Sequence, residues 1–231
     1  MTITFITGAN KGLGFETARR LSALGHTILL GARDAERGQA AAEQLGARFV
    51  PIDVADDASV MRAAADVAAH EGSIDVLINN AGIIGPSVSA EALTGLQAMD
   101  VFGTNVAGIV RVTHAFLPLL RGSSDPVVVN VSSGMGSFAV THDPERTESK
   151  VIAPLYTASK AAVTMLTTQY ARACPDIRFN AADPGYTATD LNGQSGPQTL
   201  TEGTDAIVTL ATEHASEGTG RLIDRFGPVA W

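Results

Sequence analysis

An apolar run over residues 2–6 passes without a break into Thr7-Gly8-Ala9-Asn10-Lys11-Gly12-Leu13-Gly14, and a helical pattern starts directly behind it. A chain that ends a buried strand, turns within a few residues and enters a helix is confined to a β-α unit. Glycines at 8, 12 and 14 permit a tight turn and let a pyrophosphate approach the helix amino terminus. Their spacing, Gly-x-x-x-Gly-x-Gly, differs from the commoner Gly-x-Gly-x-x-Gly, so the turn alone is weak evidence for a nucleotide site.

The same unit recurs along the chain. Apolar strands are expected at 27–30, 48–52, 74–78, 126–131, 177–181 and 221–224. Between them lie helical patterns: one ending near Leu24 and Gly25, one from Asp34 to Leu45, one from Asp56 to His70, a long region over 93–120 interrupted at Asn105, one from Tyr156 to Ala173, and one over 201–211. This alternation predicts an α/β fold, a single Rossmann-type domain spanning 1–231. Its open, doubly wound parallel sheet would have about seven strands, with helices on both faces. A composition with 45% hydrophobic residues, 5% aromatic residues and 23 glycines suits a parallel sheet packed on alanine-rich helices.

Several function classes drop out. The net charge of −8 argues against a nucleic-acid binder. Cys174 is the only cysteine and the five histidines lack metal-ligand spacing, so no disulfide and no metal are expected. No apolar run approaches the roughly 18 residues of a membrane span, which predicts a soluble, cytoplasmic protein without membrane contact. Asn130-Val131-Ser132 matches a glycosylation triplet but sits on an expected buried strand. His142, Asp143 and Ser133 lack the elbow of a hydrolase triad.

The polar features all follow strands, so a parallel sheet gathers them at its carboxyl edge, where ligands bind in such folds. Ala32 stands where an acidic residue would hold a ribose hydroxyl, and Arg33 follows it. With Lys11 this makes two cations suited to a 2′-phosphate, although Arg33 or Arg37 alone would be read as solvent-facing. Tyr156 and Lys160 lie four apart on one helix face. A phenol active near neutrality needs its pKa lowered by roughly three units, and an ammonium about 4.5 Å away supplies roughly 3 to 4 kcal/mol at a dielectric of about 20. Residues 134–155 read as a loop extension ahead of Tyr156; it offers Met135, Phe138 and Val140 before turning polar over 141–150.

In this combination and order, the Thr7 to Gly14 turn, Asp53, Asn79-Asn80-Ala81-Gly82, Asn105, Ser133, Tyr156-x-x-x-Lys160, and Pro184-Gly185 with Thr189 resemble the short-chain dehydrogenase/reductase family over essentially the whole chain. Gly8 to Glu16, Ala32-Arg33-Asp34, the extension before Tyr156 and Trp231 look most like its NADPH-dependent carbonyl reductase branch. The extension is longer than in most members and shorter than in vertebrate carbonyl reductases.

The resemblance implies a catalytic set of Asn105, Ser133, Tyr156 and Lys160. Tyr156 would protonate the substrate oxygen, Ser133 would hydrogen-bond it, Lys160 would bind the nicotinamide ribose and lower the phenol pKa, and Asn105 would hold a water leading to solvent. NADP(H) would be held by Gly8, Asn10, Lys11, Gly12, Leu13, Gly14, Arg33, Asp53, Val54, Asn80, Ala81, Gly82, Tyr156, Lys160, Pro184, Gly185, Thr187 and Thr189. The expected partner is a small carbonyl compound, on a monomer or small homo-oligomer. The short polar stretch 191–200 predicts an open cleft and permissive reduction of ketones, aldehydes and quinones. An NADP-binding sensor with little turnover is the alternative; NADPH binding without oxidation would distinguish it.

Overall fold

The computed structural model describes residues 2–231; residue 1, within the span expected as one domain, lies outside them. The strands are β1 (Ile3–Thr7), β2 (Thr27–Ala32), β3 (Arg48–Pro51), β4 (Val76–Asn79), β5 (Val127–Val131), β6 (Arg178–Ala182), β7 (Leu222–Asp224) and β8 (Gly227–Pro228). They form one sheet in the order β3-β2-β1-β4-β5-β6-β7-β8. The first seven are parallel, whereas β8 folds back antiparallel on β7. The sheet thus has eight strands where the sequence predicts about seven. A two-residue strand containing Gly and Pro carries no alternation of its own and forms only because Asp224 and Gly227 pair across a tight turn.

The helices are α1 (Gly12–Ala23), α2 (Ala35–Leu45), α3 (Asp57–His70), α4 (Gly95–Phe102), α5 (Gly108–Leu120), α6 (Phe138–His142), α7 (Pro154–Ala173), α8 (Leu200–Gly203) and α9 (Asp205–Thr212). Asp34 and Asp56 cap α2 and α3, accepting from the N–H groups of Arg37 and Ala58 at 2.9 Å each. Apolar residues of α1, α2 and α9 pack on one face of the sheet, and those of α3, α5 and α7 on the other. β4 and β5 are buried throughout because both their faces are covered, which is why they read as apolar runs interrupted only by Asn79 and Asn130. On the α5 side Phe5 and Phe116 meet at 4.5 Å between ring centroids. Asn130 is fully buried in β5, its amide bonded to Asn79 and Thr167. Among the described residues no helix is long and apolar enough to cross a membrane.

Two segments carry detail that the sequence pattern does not give. The 93–120 region is broken at a π turn, Gly103–Ala107, that places Asn105 in the interior at 1% exposure. The 134–155 extension contains a 3-10 turn at Gly134–Gly136, then α6, then a second 3-10 turn at Thr147–Lys150. Ser137 caps α6 by accepting from Val140 N–H at 3.0 Å, and its hydroxyl donates to the carbonyl of Ala230 at 2.5 Å. Val140, one of the apolar residues the extension offers before it turns polar, is buried against Ala181, Leu222 and Val229. The chain terminus covers it, a contact that no local pattern foretells.

Candidate active site

The winding of the sheet reverses between β1 and β4, and the loops leaving their carboxyl ends are tied together there. The Thr7 hydroxyl accepts from the N–H groups of Asn80 at 3.0 Å and Ala81 at 3.1 Å. In return the Asn80 amide donates to the carbonyls of Thr7 at 2.8 Å and Gly8 at 3.1 Å. A Cβ on Gly14 would lie 2.5 Å from Asn80 Nδ2 and 2.6 Å from the Gly8 carbonyl, so only glycine fits under this clamp. Gly12, at φ +57°, has open space above it, with nothing within 4 Å of where a Cβ would stand. That cradle lies at the positive end of the 12-residue α1 and fits a pyrophosphate. Asn10 and Leu13 flank it. Thr7 carries the clamp yet is absent from the predicted site; a hydroxyl on the last residue of a strand was its only signal.

At the β2 end of the crevice Arg33 is exposed and, among the described residues, makes no ion pair, while Arg37 pairs with Asp34 at 2.7 Å. Lys11, the other cation expected at the 2′-phosphate, is paired within the chain. Its ammonium meets Asp190 at 2.9 Å, and Gln194 donates to the other oxygen of that carboxylate. Asp53 accepts from Ala55 N–H at 2.9 Å, and Val54 packs over Gly108.

At the β5 end Lys160 is 5% exposed and donates to the carbonyl of Val131 at 2.7 Å, with its Nζ 5.6 Å from the centre of the Tyr156 ring. Burial pulls the Lys160 pKa down to about 8, opposed by the Asp183 carboxylate. Burial pushes the Tyr156 phenol up to about 12, the Ser133 hydroxyl works against that, and Asp183 adds to it. This corrects the expectation of a phenol brought toward neutrality: desolvation outweighs the ammonium, which is turned to a main-chain acceptor. Tyr156 therefore holds its proton at neutral pH. Ser133 is partly exposed and its oxygen accepts from Met135 N–H at 3.2 Å. Its neighbour Ser132 is buried, bonded to the Lys160 carbonyl and to Thr164. Both amide hydrogens of Asn105 are used, on Ile83 O at 2.8 Å and Ser159 Oγ at 3.0 Å. Asn105 and Lys160 converge on Gly82, lying 3.3 and 3.7 Å from where its Cβ would be.

After β6, Gly185 turns at φ +66° and the buried Thr187 donates to Pro184 O at 2.9 Å. Thr189 N–H donates to Asn192 Oδ1 at 3.1 Å, closing a short turn. Every predicted site residue thus lies on the carboxyl edge. A polar hollow of about 350 Å³ opens at the opposite edge, lined by His26, Asp75 and Arg178 among others, away from all of them.

A doubly wound sheet with a glycine cradle at its switch point defines a Rossmann-type dinucleotide-binding protein. The short chain dehydrogenase family model matches residues 2–200. The chain belongs to that short-chain dehydrogenase/reductase family, in its carbonyl reductase-like branch. It is 37% identical to the short-chain dehydrogenase anuI of Penicillium roqueforti, over 96% of this chain and 93% of that one. It is 32% identical to the (+)-neomenthol dehydrogenase of Arabidopsis thaliana, over 89% and 90%. The crystal structure of NADPH-bound carbonyl reductase from chicken fatty liver superposes with a TM-score of 0.88 at 26% identity, covering both chains fully. The chain is an oxidoreductase of a family that binds nicotinamide cofactors.

Proposed function

We propose that this protein reduces ketone and aldehyde carbonyls, quinones included, with NADPH. The observation that carries this reading is a phenol held protonated at Tyr156, beside the Ser133 hydroxyl and the buried Lys160 ammonium, at the crevice of a dinucleotide fold. The names of similar proteins, a carbonyl reductase bound to NADPH and a (+)-neomenthol dehydrogenase, support it.

The glycine turn from Gly8 to Gly14 would hold the pyrophosphate, and Arg33, joined by Lys11, the 2′-phosphate. Asp53 and Val54 would meet the adenine; Asn80, Ala81 and Gly82 the adenosine ribose region; Tyr156 and Lys160 the nicotinamide ribose; Pro184, Gly185, Thr187 and Thr189 the carboxamide. When bound, the nicotinamide supplies a hydride.

Tyr156 donates its phenolic proton to the substrate oxygen. The Ser133 oxygen already accepts from Met135 N–H, which leaves the serine hydrogen to steady the same substrate oxygen. Lys160, charged below about pH 8, offsets the phenolate left behind. Asn105 ties Ile83 to Ser159, the residue before Lys160, and would hold the water that returns the proton.

The test is loss of NADPH absorbance with a panel of aromatic ketones, aldehydes and quinones. Tight NADPH binding with no oxidation across the panel would overturn the enzyme reading in favour of a nucleotide sensor.

A further inference from the structure

Asp183 sits between β6 and Pro184 at 3% exposure, within reach of the proposed proton donor yet outside the proposed mechanism. Its Oδ1 accepts from Gly185 N–H at 2.9 Å. Its Oδ2 is buried without a hydrogen bond of good geometry among the described residues. That oxygen and Glu148 Oε1 lie 2.8 and 3.0 Å from the place a Cβ would take on Gly134, so the two carboxyl groups face each other over that glycine. Glu148 comes from the Thr147–Lys150 turn of the extension, and Arg146 donates to both its oxygens, at 3.1 and 3.3 Å. The other charged or titratable groups acting on Asp183 are Asp224 at the end of β7, and Tyr156 and Lys160 on α7.

We propose that Asp183 is a positioning residue for the carbonyl reduction inferred above: it keeps its carboxyl proton and donates it to Glu148 across Gly134, clamping the segment between Ser133 and Tyr156 onto the Pro184 turn. Arg146 donates to both oxygens of Glu148, which makes Glu148 the acceptor of the pair and Asp183 the donor. A proton on Asp183 gives its orphaned Oδ2 a hydrogen bond to make toward Glu148 across Gly134. Burial, Glu148 and Asp224 all push the Asp183 pKa above its ordinary 3.8, and the N–H groups of Gly185 and Gly134 offset this only in part. The neutral acid has a second effect. An ionised Asp183 raises the phenol pKa of Tyr156 and makes it a poorer donor, so the clamp removes a negative charge from behind the reacting group.

This proposal rests on the reductase reading for its role but not for its chemistry, and the test separates them. A carboxyl group whose folded pKa is raised binds more protons folded than unfolded, so stability falls as pH rises from the unfolded value to the folded one. Melting curves of the full chain against pH are compared for the wild type, Asp183→Asn and Asp183→Ala, with kcat and the Kd for NADPH measured beside them. Asn mimics the neutral acid, donating to Glu148 and accepting from Gly185. Asp183→Asn should abolish the fall in Tm with pH and keep kcat within about threefold. Asp183→Ala should lose at least tenfold in kcat at unchanged NADPH affinity. Parallel Tm curves for wild type and Asp183→Asn, or an Asn variant as impaired as Ala, would overturn the proposal. If Asp183→Ala does not fold, the wild type and Asp183→Asn decide alone; if no carbonyl is turned over, the Tm curves still decide the clamp and only the reductase reading fails.

Discussion

Lys11 and Asp190, near opposite ends of the chain, meet at 2.9 Å and tie the glycine turn to the segment that follows β6. Both side chains are more than half exposed, and such ion pairs add little to stability, so Lys11 is free to exchange Asp190 for a phosphate. Arg33→Ala should weaken NADPH binding by about one to two orders of magnitude and leave NADH nearly unchanged. Asp190→Asn, by removing the competing carboxylate, should tighten NADPH by less than about fivefold. Calorimetric titration of both cofactors checks this; equal losses of NADPH and NADH on Arg33→Ala would sink the assignment of the 2′-phosphate.

Tyr156→Phe keeps the ring and removes the proton. It should lower kcat by about 10² to 10⁴ while NADPH still binds. With the phenol up at about 12 and Lys160 down at about 8, the first group to change state on raising the pH is the lysine. The rate of reduction should stay level from neutrality to about pH 8 and fall beyond it. A pH profile of kcat level through pH 10 would show that the lysine charge is not needed.

The same burial carries a stability prediction of opposite sense. Lys160 has a folded pKa of about 8 against an ordinary 10.5, so the unfolded chain binds more protons between these values and stability rises with pH across that window. Below it the buried ammonium weakens the fold by up to roughly 3 kcal/mol, less what its bond to Val131 returns. Lys160→Met should therefore be inactive yet at least as stable as the wild type at neutral pH, the difference shrinking above pH 10. Urea unfolding at two pH values measures it, and a less stable methionine variant at neutrality would refute the sign.

Thr7→Val preserves shape and strips the half-buried N–H of Ala81 of its acceptor, while that of Asn80 keeps the carbonyl of Ile78 at 3.1 Å. One orphaned donor costs about 1–3 kcal/mol, so a loss of about that size is expected. Chemical denaturation reads it directly. A change below about 1 kcal/mol would mean that water takes over the threonine's place.

These residues also mark how far the sequence could be read. The strands and long helices were legible because burial on one or both faces imposes a period, and the Gly8–Gly14 turn because its spacing has few uses. The placing of Asn105 in an interrupted helix was legible, but not that the interruption is a π turn. What stayed hidden depends on distant contacts: Lys11 on Asp190, Val140 under Leu222 and Val229, and Thr7 beneath Asn80 and Ala81. The phenol of Tyr156 shows the other limit. Spacing placed an ammonium near it, whereas its pKa follows from desolvation, a property of everything packed around the pair.

Substrate range follows from what surrounds the proton donor. The segment between Thr189 and Leu200 folds on itself: the Tyr186 hydroxyl bonds Ser195 at 2.7 Å, Asn192 donates to Thr187 O at 2.8 Å, and Thr187 bridges to Gln198. It forms no lid helix long enough to close the carboxyl edge. The loops leaving that edge instead expose Ile84, Phe138, Ile152, Tyr186 and Leu191, with Phe138 at 72% and Ile152 at 88% exposure. Apolar side chains left in water around a catalytic crevice favour bulky apolar substrates, and an uncovered rim discriminates weakly, since even a tight pocket resolves one methylene by only about 1 to 3 kcal/mol. Bulky aromatic ketones and quinones should therefore be reduced with kcat/KM values within about a hundredfold of one another. Ile152→Ser should lower kcat/KM for the bulkiest by about five- to thirtyfold while leaving small aldehydes and NADPH affinity unchanged. Steady-state kinetics under saturating NADPH decide it. One compound turned over many thousandfold better than its close analogues would show that the 134–155 segment closes over the substrate, and the open-rim argument would fall with it.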